Sequence, residues 1–191
     1  MTRYFRILDD VNVPGRWFLS DPVDGRGNDL WWVFSAGKPV QVEAPVRIHF
    51  NAAAARGKPL DYSELDGDPV PVVHARVGSV LAELAPSDLQ LVPVLLEGIP
   101  DQLCILNVTR VIDCIDDAAS EHVKRYTTED ARVFADKVGQ YSSVRGLRID
   151  RERVGGAKIF RTWGWVAIIV CEDIKDALER IGTVGARFEA V

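Results

Sequence analysis

Residues 157–191 constrain the fold of this chain more than any other stretch, because strand and helix signals follow one another there with little ambiguity. Two β-branched and aromatic runs precede a helix whose apolar residues recur at i, i+3, i+4 and i+7. Acidic residues in its first turn, an arginine in its last turn and Gly182 just beyond it are start and stop signals. The predicted elements are strands at residues 158–161 and 165–170, a helix at residues 172–181 and a strand at residues 185–191. This unit contains no catalytic motif, which favours a protein that acts through its surface.

The rest of the chain predicts more β structure. In residues 1–71, short aromatic and β-branched runs alternate with Gly, Pro, Asn and Asp turns, a pattern typical of a meander of short strands. The predicted elements are strands at residues 4–8, 17–19, 30–34 and 46–50, a helix at residues 76–85, and a hairpin at residues 89–96 and 103–112. We therefore predict an α+β fold, a mostly antiparallel sheet with a few short amphipathic helices. The β-rich N-terminal region 1–71 and the α+β core 72–191 are expected to form one compact unit.

Charge and cysteine content exclude several classes of protein. The net charge of −5, from 28 acidic and 23 basic residues, argues against a basic nucleic-acid-binding surface. The 3 cysteines include no C-x-x-C pair, so they fit neither a disulfide framework nor a zinc knuckle. The sequence shows no signal peptide and no apolar run of about 18 residues. We expect a cytoplasmic protein that needs no cofactor and contacts neither nucleic acid nor a membrane directly; its self-association stays open.

Four carboxylates form the densest polar group in the sequence: Asp113, Asp116, Asp117 and Glu121. If this stretch is helical, three of them lie at i, i+4 and i+8 on one face. A solvated helix face is the simplest interpretation. Converging oxygens are also what a divalent cation requires, and negative charge would attract a basic protein partner. H-x-x-x-H, G-x-G-x-x-G and a complete phosphate loop do not occur, and no catalytic residue is predicted.

Tryptophans are frequent, with 5 in the chain, and four of them lie in two pairs. Trp31 and Trp32 are adjacent, and in a strand they would point to opposite faces, so one of them should face away from the core. Trp163 and Trp165 would share a face beside Gly164. Two core clusters are one interpretation. The other is an aromatic anchor for a protein partner, because Trp dominates interface hot spots.

Several segments together resemble a bacterial immunity-protein family, the eleventh numbered family of polymorphic-toxin immunity proteins. They are LAPSDLQLVPV at residues 84–94, IDCID at residues 112–116 with Ser120, KIFR at residues 158–161, IVCE at residues 169–172 and GARF at residues 185–188. The resemblance covers most of the chain and is strongest from residue 72 to residue 191. One departure is Cys171, where relatives have Ser, a better helix N-cap.

The resemblance implies a protein that binds and neutralises a cognate toxin in the cytoplasm and catalyses no reaction. Toxins encoded beside family members look like histidine-metal nucleases, so a basic nuclease is the implied partner. We predict that Asp113, Asp116, Asp117 and Glu121 supply charge to the toxin interface. The predicted aromatic anchors are Trp31, Trp32 and Trp163. Two alternatives stay open: a small metal-dependent hydrolase that uses the four carboxylates, and a β-rich module that binds a ligand in a tryptophan-lined groove.

Overall fold

A computed structural model describes residues 2–42, 45–51, 57–65 and 68–191. The strands are β1 (Tyr4–Asp9), β2 (Val46–Ile48), β3 (Tyr62–Leu65), β4 (Asp68–His74), β5 (Leu89–Leu96), β6 (Leu103–Val108), β7 (Val111–Ile112), β8 (His122–Arg125), β9 (Tyr141–Arg145), β10 (Ile159–Thr162), β11 (Ile168–Cys171) and β12 (Ala186–Ala190). The helices are α1 (Trp31–Ser35), α2 (Ala75–Leu84), α3 (Ala131–Phe134), α4 (Arg151–Val154) and α5 (Glu172–Arg180), with a short 3-10 turn at Ala135–Lys137. The predicted α+β class, with mostly antiparallel sheets, is confirmed.

The first sheet has the strand order β12-β1-β11-β10-β7 and is antiparallel except for the β10–β7 pair. The predicted terminal unit is confirmed as β10, β11, α5 and β12. Gly182 follows α5 with φ of 66°, and its N–H donates to the Glu179 carbonyl at 2.9 Å. That positive φ suits glycine because it has no Cβ. Cys171 is the N-cap of α5 and makes no capping hydrogen bond through its side chain.

The second sheet has the strand order β2-β5-β6-β4-β3, and its centre is the predicted hairpin of β5 and β6. The described residues form two hydrophobic cores, and successive residues of β6 point into different ones. Leu106 packs in the first core and Ile105 packs in the second. The sequence predicted that both strands are covered on both faces, which is right for β6. It is wrong for β5, because Leu95 is exposed near its end.

The strand pairing connects distant parts of the sequence. Although β1 belongs to residues 1–71, it lies between β11 and β12 of the C-terminal sheet. Arg76 of α2 makes an ion pair with Asp61, and its guanidinium also donates to the Ile181 carbonyl at 2.8 Å beyond the end of α5. The division at residue 71 stays a prediction. No helix in the described part of the chain is both long and apolar enough to cross a membrane.

Residues 30–34 were predicted as a strand, and this is wrong: Trp31–Ser35 is the helix α1. Aromatic and β-branched side chains favour strands, but such preferences are weak and tertiary contacts override them. Here the Phe34 and Ser35 carbonyls accept hydrogen bonds from Arg161, a residue far away in sequence. The expectation that Trp31 and Trp32 point to opposite faces of a strand is therefore also wrong.

Residues 113–121 do not form the helix that would place Asp113, Asp117 and Glu121 on one face. After Cys114, a turn forms in which the Asp116 carboxylate accepts hydrogen bonds from the backbone N–H groups of residues 118 and 119, both at 3.0 Å. The Ser120 hydroxyl donates to the Asp116 carbonyl and accepts from the backbone N–H of Arg148. This side-chain bonding closes the turn, and the chain continues as β8 rather than as a helix.

Candidate functional site

The short helix α1 carries two of the predicted anchors on the surface. Trp31 is 39% exposed and Trp32 is 61% exposed, whereas Phe34 on the same helix is fully buried. A five-residue helix is not stable in isolation, so its position depends on tertiary contacts. The buried Phe34 side chain and the two bonded carbonyls at its end supply those contacts.

Arg161 of β10 fixes the end of α1. Its Nη2 donates to the Phe34 carbonyl at 2.9 Å and its Nη1 donates to the Ser35 carbonyl at 3.2 Å. A cation at a helix C-terminus interacts favourably with the helix dipole. Burial lowers the pKa of Arg161 to about 10. No carboxylate in the described part of the chain forms an ion pair with it.

The parallel pair of β10 and β7 brings Trp163 next to the end of β7. Arg161 is opposite Val111 in the register, and the Trp163 N–H continues the ladder by donating to the Ile112 carbonyl at 2.8 Å. Because the two strands are parallel, Trp163 and Asp113, which directly follow β10 and β7, lie at the same end of this pair. Val111 and Trp163 are 42% and 41% exposed.

Close packing joins the segment after α1 to this strand pair. A Cβ on Gly37, two residues after α1, would meet Cγ2 of Val111 at 2.7 Å and Cδ of Arg161 at 3.4 Å. The backbone at Gly37 therefore lies directly against β7 and β10. We use the name α1–β7 surface for the exposed residues of α1 and of the β7–β10 strand pair with its following residues, which are Trp31, Trp32, Val111, Asp113 and Trp163.

Asp117 lies near this surface, but its charge is already paired. Its carboxylate accepts hydrogen bonds from the Tyr141 hydroxyl at 2.7 Å and from Nη2 of Arg125 at 3.0 Å. Burial alone would raise the pKa of Asp117, but these hydrogen bonds outweigh it and the pKa is lowered. Burial, and then the bond to Asp117, raise the pKa of Tyr141 to about 12. The Tyr141 ring packs against Gly164, beside Trp163.

The four predicted carboxylates do not form one patch. Asp113 lies on the α1–β7 surface, and Asp116 and Asp117 border a cavity of about 360 Å³ that Arg125 and Arg153 also line. Glu121 packs over Gly146 at the other end of the ribbon formed by β8 and β9. Among the residues that the structure describes, no three His, Cys, Asp or Glu side chains are placed to hold a metal ion. The geometry therefore gives no support to the metal-dependent hydrolase.

The remaining tryptophans are structural, and a tryptophan-lined groove is not evident in the described residues. Trp17 is buried and its Nε1 donates to the Ser63 hydroxyl at 2.6 Å. Trp165 is partly buried against the hydrophobic core that contains Leu106. A cavity of about 430 Å³ beside α1 has Trp32 as its one tryptophan among the lining residues, with Leu30, Val33 and Val42.

Sequence reasoning identified the exposed indoles but missed the residues that place them. Arg161 and Gly37 received no role, and Arg125 was not paired with Asp117. One signal was present: Arg161 interrupts an apolar run at residues 158–161, and an arginine inside a buried strand requires partners. The identity of those partners depends on the tertiary fold.

Comparison with known proteins adds a family to this geometry. The family model described as Immunity protein family (Imm11) matches residues 3–191. None of the curated proteins matches the chain.

Proposed function

Because this chain belongs to the immunity protein family Imm11, we propose that it binds a cognate toxin by direct contact and so neutralises it, without catalysing a reaction. The toxin would belong to a polymorphic toxin system used in competition between bacteria, and the encounter would take place in the cytoplasm. The family match supports the immunity role. The α1–β7 surface supports the mode of action.

The main support for this mode of action is that three indoles are exposed on segments whose backbone is held in place by tertiary contacts. Trp31, Trp32 and Trp163 leave large apolar areas in water, and burying apolar area against a partner is favourable. Trp is enriched among the residues that contribute most to protein interfaces. Since Arg161 and Phe34 hold α1 in place, little conformational entropy would be lost on binding.

We further propose a basic nuclease as the toxin. Asp113 on the α1–β7 surface and Asp116 in the adjacent turn belong to no ion pair in the described residues, so their charge is free to meet a basic partner. The net charge of −5 favours association with a basic protein. Asp117 contributes less in this account, because Arg125 already neutralises it.

Co-expression with the toxin encoded beside this gene tests the proposal. The wild-type chain should restore growth and should co-purify with the toxin. Trp32→Ala should weaken the complex about 30-fold or more, which corresponds to a hot-spot residue. Asp113→Asn should mainly slow association and reduce its dependence on salt. The absence of both a complex and growth rescue would refute the toxin-binding function.

A matched pair of variants separates the α1–β7 surface from a general loss of apolar area. Val111 and Val184 are 42% and 46% exposed, but Val184 precedes β12, at the opposite edge of the sheet from β7. Val111→Ala should weaken the complex, and Val184→Ala should leave it unchanged. Equal effects of the two substitutions would contradict this location of the interface.

A further inference from the structure

Three arginine side chains meet at the end of the β8–β9 ribbon that lies away from Asp117. Arg6, Arg145 and Arg148 line one cavity of about 430 Å³, together with Glu189 and apolar side chains. We call this site the arginine pocket. It is separate from the α1–β7 surface, because it borders β12, at the opposite edge of the first sheet from β7.

Three different segments hold the arginines in place. Arg6 of β1 is opposite Glu189 of β12 in the strand register, and Arg145 of β9 is opposite His122 of β8. The Arg148 guanidinium donates to the Ala190 carbonyl at 2.7 Å. Arg6 lies within β1, Arg145 ends β9, and Arg148 lies in the segment between β9 and α4.

The pocket carries more positive charge than its carboxylates balance. In the described part of the chain, none of its arginines forms an ion pair, and Nε of Arg6 is buried without a hydrogen-bond partner. Glu189 lines the pocket, but its carboxylate is paired with Arg187 at 2.9 Å. Three guanidinium groups around one cavity, without a carboxylate paired to any of them, would interact favourably with an anionic group that enters it.

We propose that the arginine pocket binds a carboxylate side chain from an acidic segment of a protein partner. Guanidinium groups form paired, charge-assisted hydrogen bonds with carboxylates. Val144, Leu147 and Val191 line the same cavity and would contact the aliphatic stem of an incoming Glu or Asp.

The surroundings favour a protein carboxylate over nucleic acid. A nucleic-acid backbone requires an extended basic surface. Here Glu189 and the nearby Glu121 limit the positive region, and the chain as a whole carries a charge of −5. The proposal does not require the partner to be a toxin. If the toxin does supply the carboxylate, the pocket and the α1–β7 surface together would fix its orientation.

Titration with a capped hexaglutamate peptide, followed by NMR of the arginine Nε–Hε signals, tests the proposal. The peptide should shift the signals of Arg6, Arg145 and Arg148, and a hexaglutamine peptide should not. The double substitution Arg145→Gln with Arg148→Gln should weaken peptide binding at least about tenfold, because each removes a charge-assisted contact. The matched control is Arg132→Gln with Arg180→Gln, which changes the net charge equally at exposed positions of α3 and α5 and should leave binding unchanged.

Arg148 also contacts the backbone of β12, so Arg145→Gln alone serves as a second variant that leaves this contact intact. It should weaken binding without lowering the melting temperature.

The proposal is overturned if the peptide shifts none of the three signals, or if the pocket variants bind it as tightly as the wild type. The carboxylate assignment would be overturned if inorganic phosphate or a single-stranded oligonucleotide shifted the same signals and bound more tightly than the peptide. Each of these failures leaves the toxin complex and its dependence on Trp32 intact, and so is distinguishable from failure of the proposed function.

Discussion

Arg161 is the residue on which the position of the α1–β7 surface depends most. Its side chain is almost completely buried, and its described partners are two backbone carbonyls at the end of α1. Burial of a cation without a carboxylate is costly unless hydrogen bonds satisfy it. The two hydrogen bonds of Arg161 offset part of this cost. They also connect the helix that carries Trp31 and Trp32 to the strand that precedes Trp163.

Replacement of Arg161 by Met should detach α1 from the sheet. Met keeps the apolar stem but leaves the Phe34 and Ser35 carbonyls without their donor, so the free energy of unfolding should fall by about 1–3 kcal/mol. Urea denaturation measures this change, and tryptophan fluorescence reports on Trp31 and Trp32. Arg161→Lys, which retains the charge, should lose less. A stability equal to that of the wild type would show that these hydrogen bonds do not hold the helix.

Tyr141 should give the chain a characteristic pH dependence. Its pKa is raised from 10.0 to about 12, so its neutral form is favoured in the folded state. The resulting stability is fully present below pH 10 and is lost as the pH rises toward 12. Denaturation at several alkaline pH values should show this loss in the wild type and a smaller loss in Tyr141→Phe. Tyr126→Phe, which leaves the bonds to Asp117 intact, should behave as the wild type; identical curves for all three proteins would contradict this account.

At the scale of elements, the sequence predicts the C-terminal unit well and α1 poorly, for a physical reason. Start and stop signals of α5 and the strand runs of β10 and β11 are local, so periodicity and capping rules find them. The form of α1 depends on Arg161, and the turn after Asp116 depends on the Ser120 hydroxyl that bonds to Arg148. Contacts between residues distant in sequence leave no periodic pattern.

Gly37 provides a test of the packing between α1 and β7. Its φ is 64°, and an added Cβ would meet Cγ2 of Val111 at 2.7 Å. Gly37→Ala should therefore incur both the cost of positive φ and a steric clash, about 2–4 kcal/mol together. Gly15 has a similar φ of 68° with no atom within 4 Å of the added Cβ, so Gly15→Ala should cost only about 1–2 kcal/mol. Denaturation of the two variants measures the difference, and equal losses would show that the close packing at Gly37 is unimportant.

In the described part of the molecule, two five-stranded sheets, the β8–β9 ribbon and two hydrophobic cores support three surface features of different character. Trp163 lies beside β7 at the edge of the first sheet, the turn with Asp116 and Asp117 lies at one end of the β8–β9 ribbon, and the arginine pocket lies at the other end. Acidic, basic and apolar features at separate places on one molecule are suited to fix the orientation of a protein partner.

The sequence identified individual exposed tryptophans but not their arrangement. Trp31, Trp32 and Trp163 were named because of their residue type, and the position of Trp163 beside β7 depends on the parallel pairing of β7 with β10. The four carboxylates were grouped by an assumed helix, and the actual turn separates Glu121 from Asp113. The arginine pocket was not predicted, because Arg6 is far in sequence from Arg145 and Arg148.

A toxin that binds through the α1–β7 surface should protect that surface from exchange with solvent. Amide hydrogen exchange of the chain, measured with and without the toxin, tests this. We expect slower exchange in the complex at residues 31–35, 111–113 and 163–166, with little change at residues 182–186 beside the opposite sheet edge. Protection confined to that opposite edge, with none at α1 or Trp163, would contradict it.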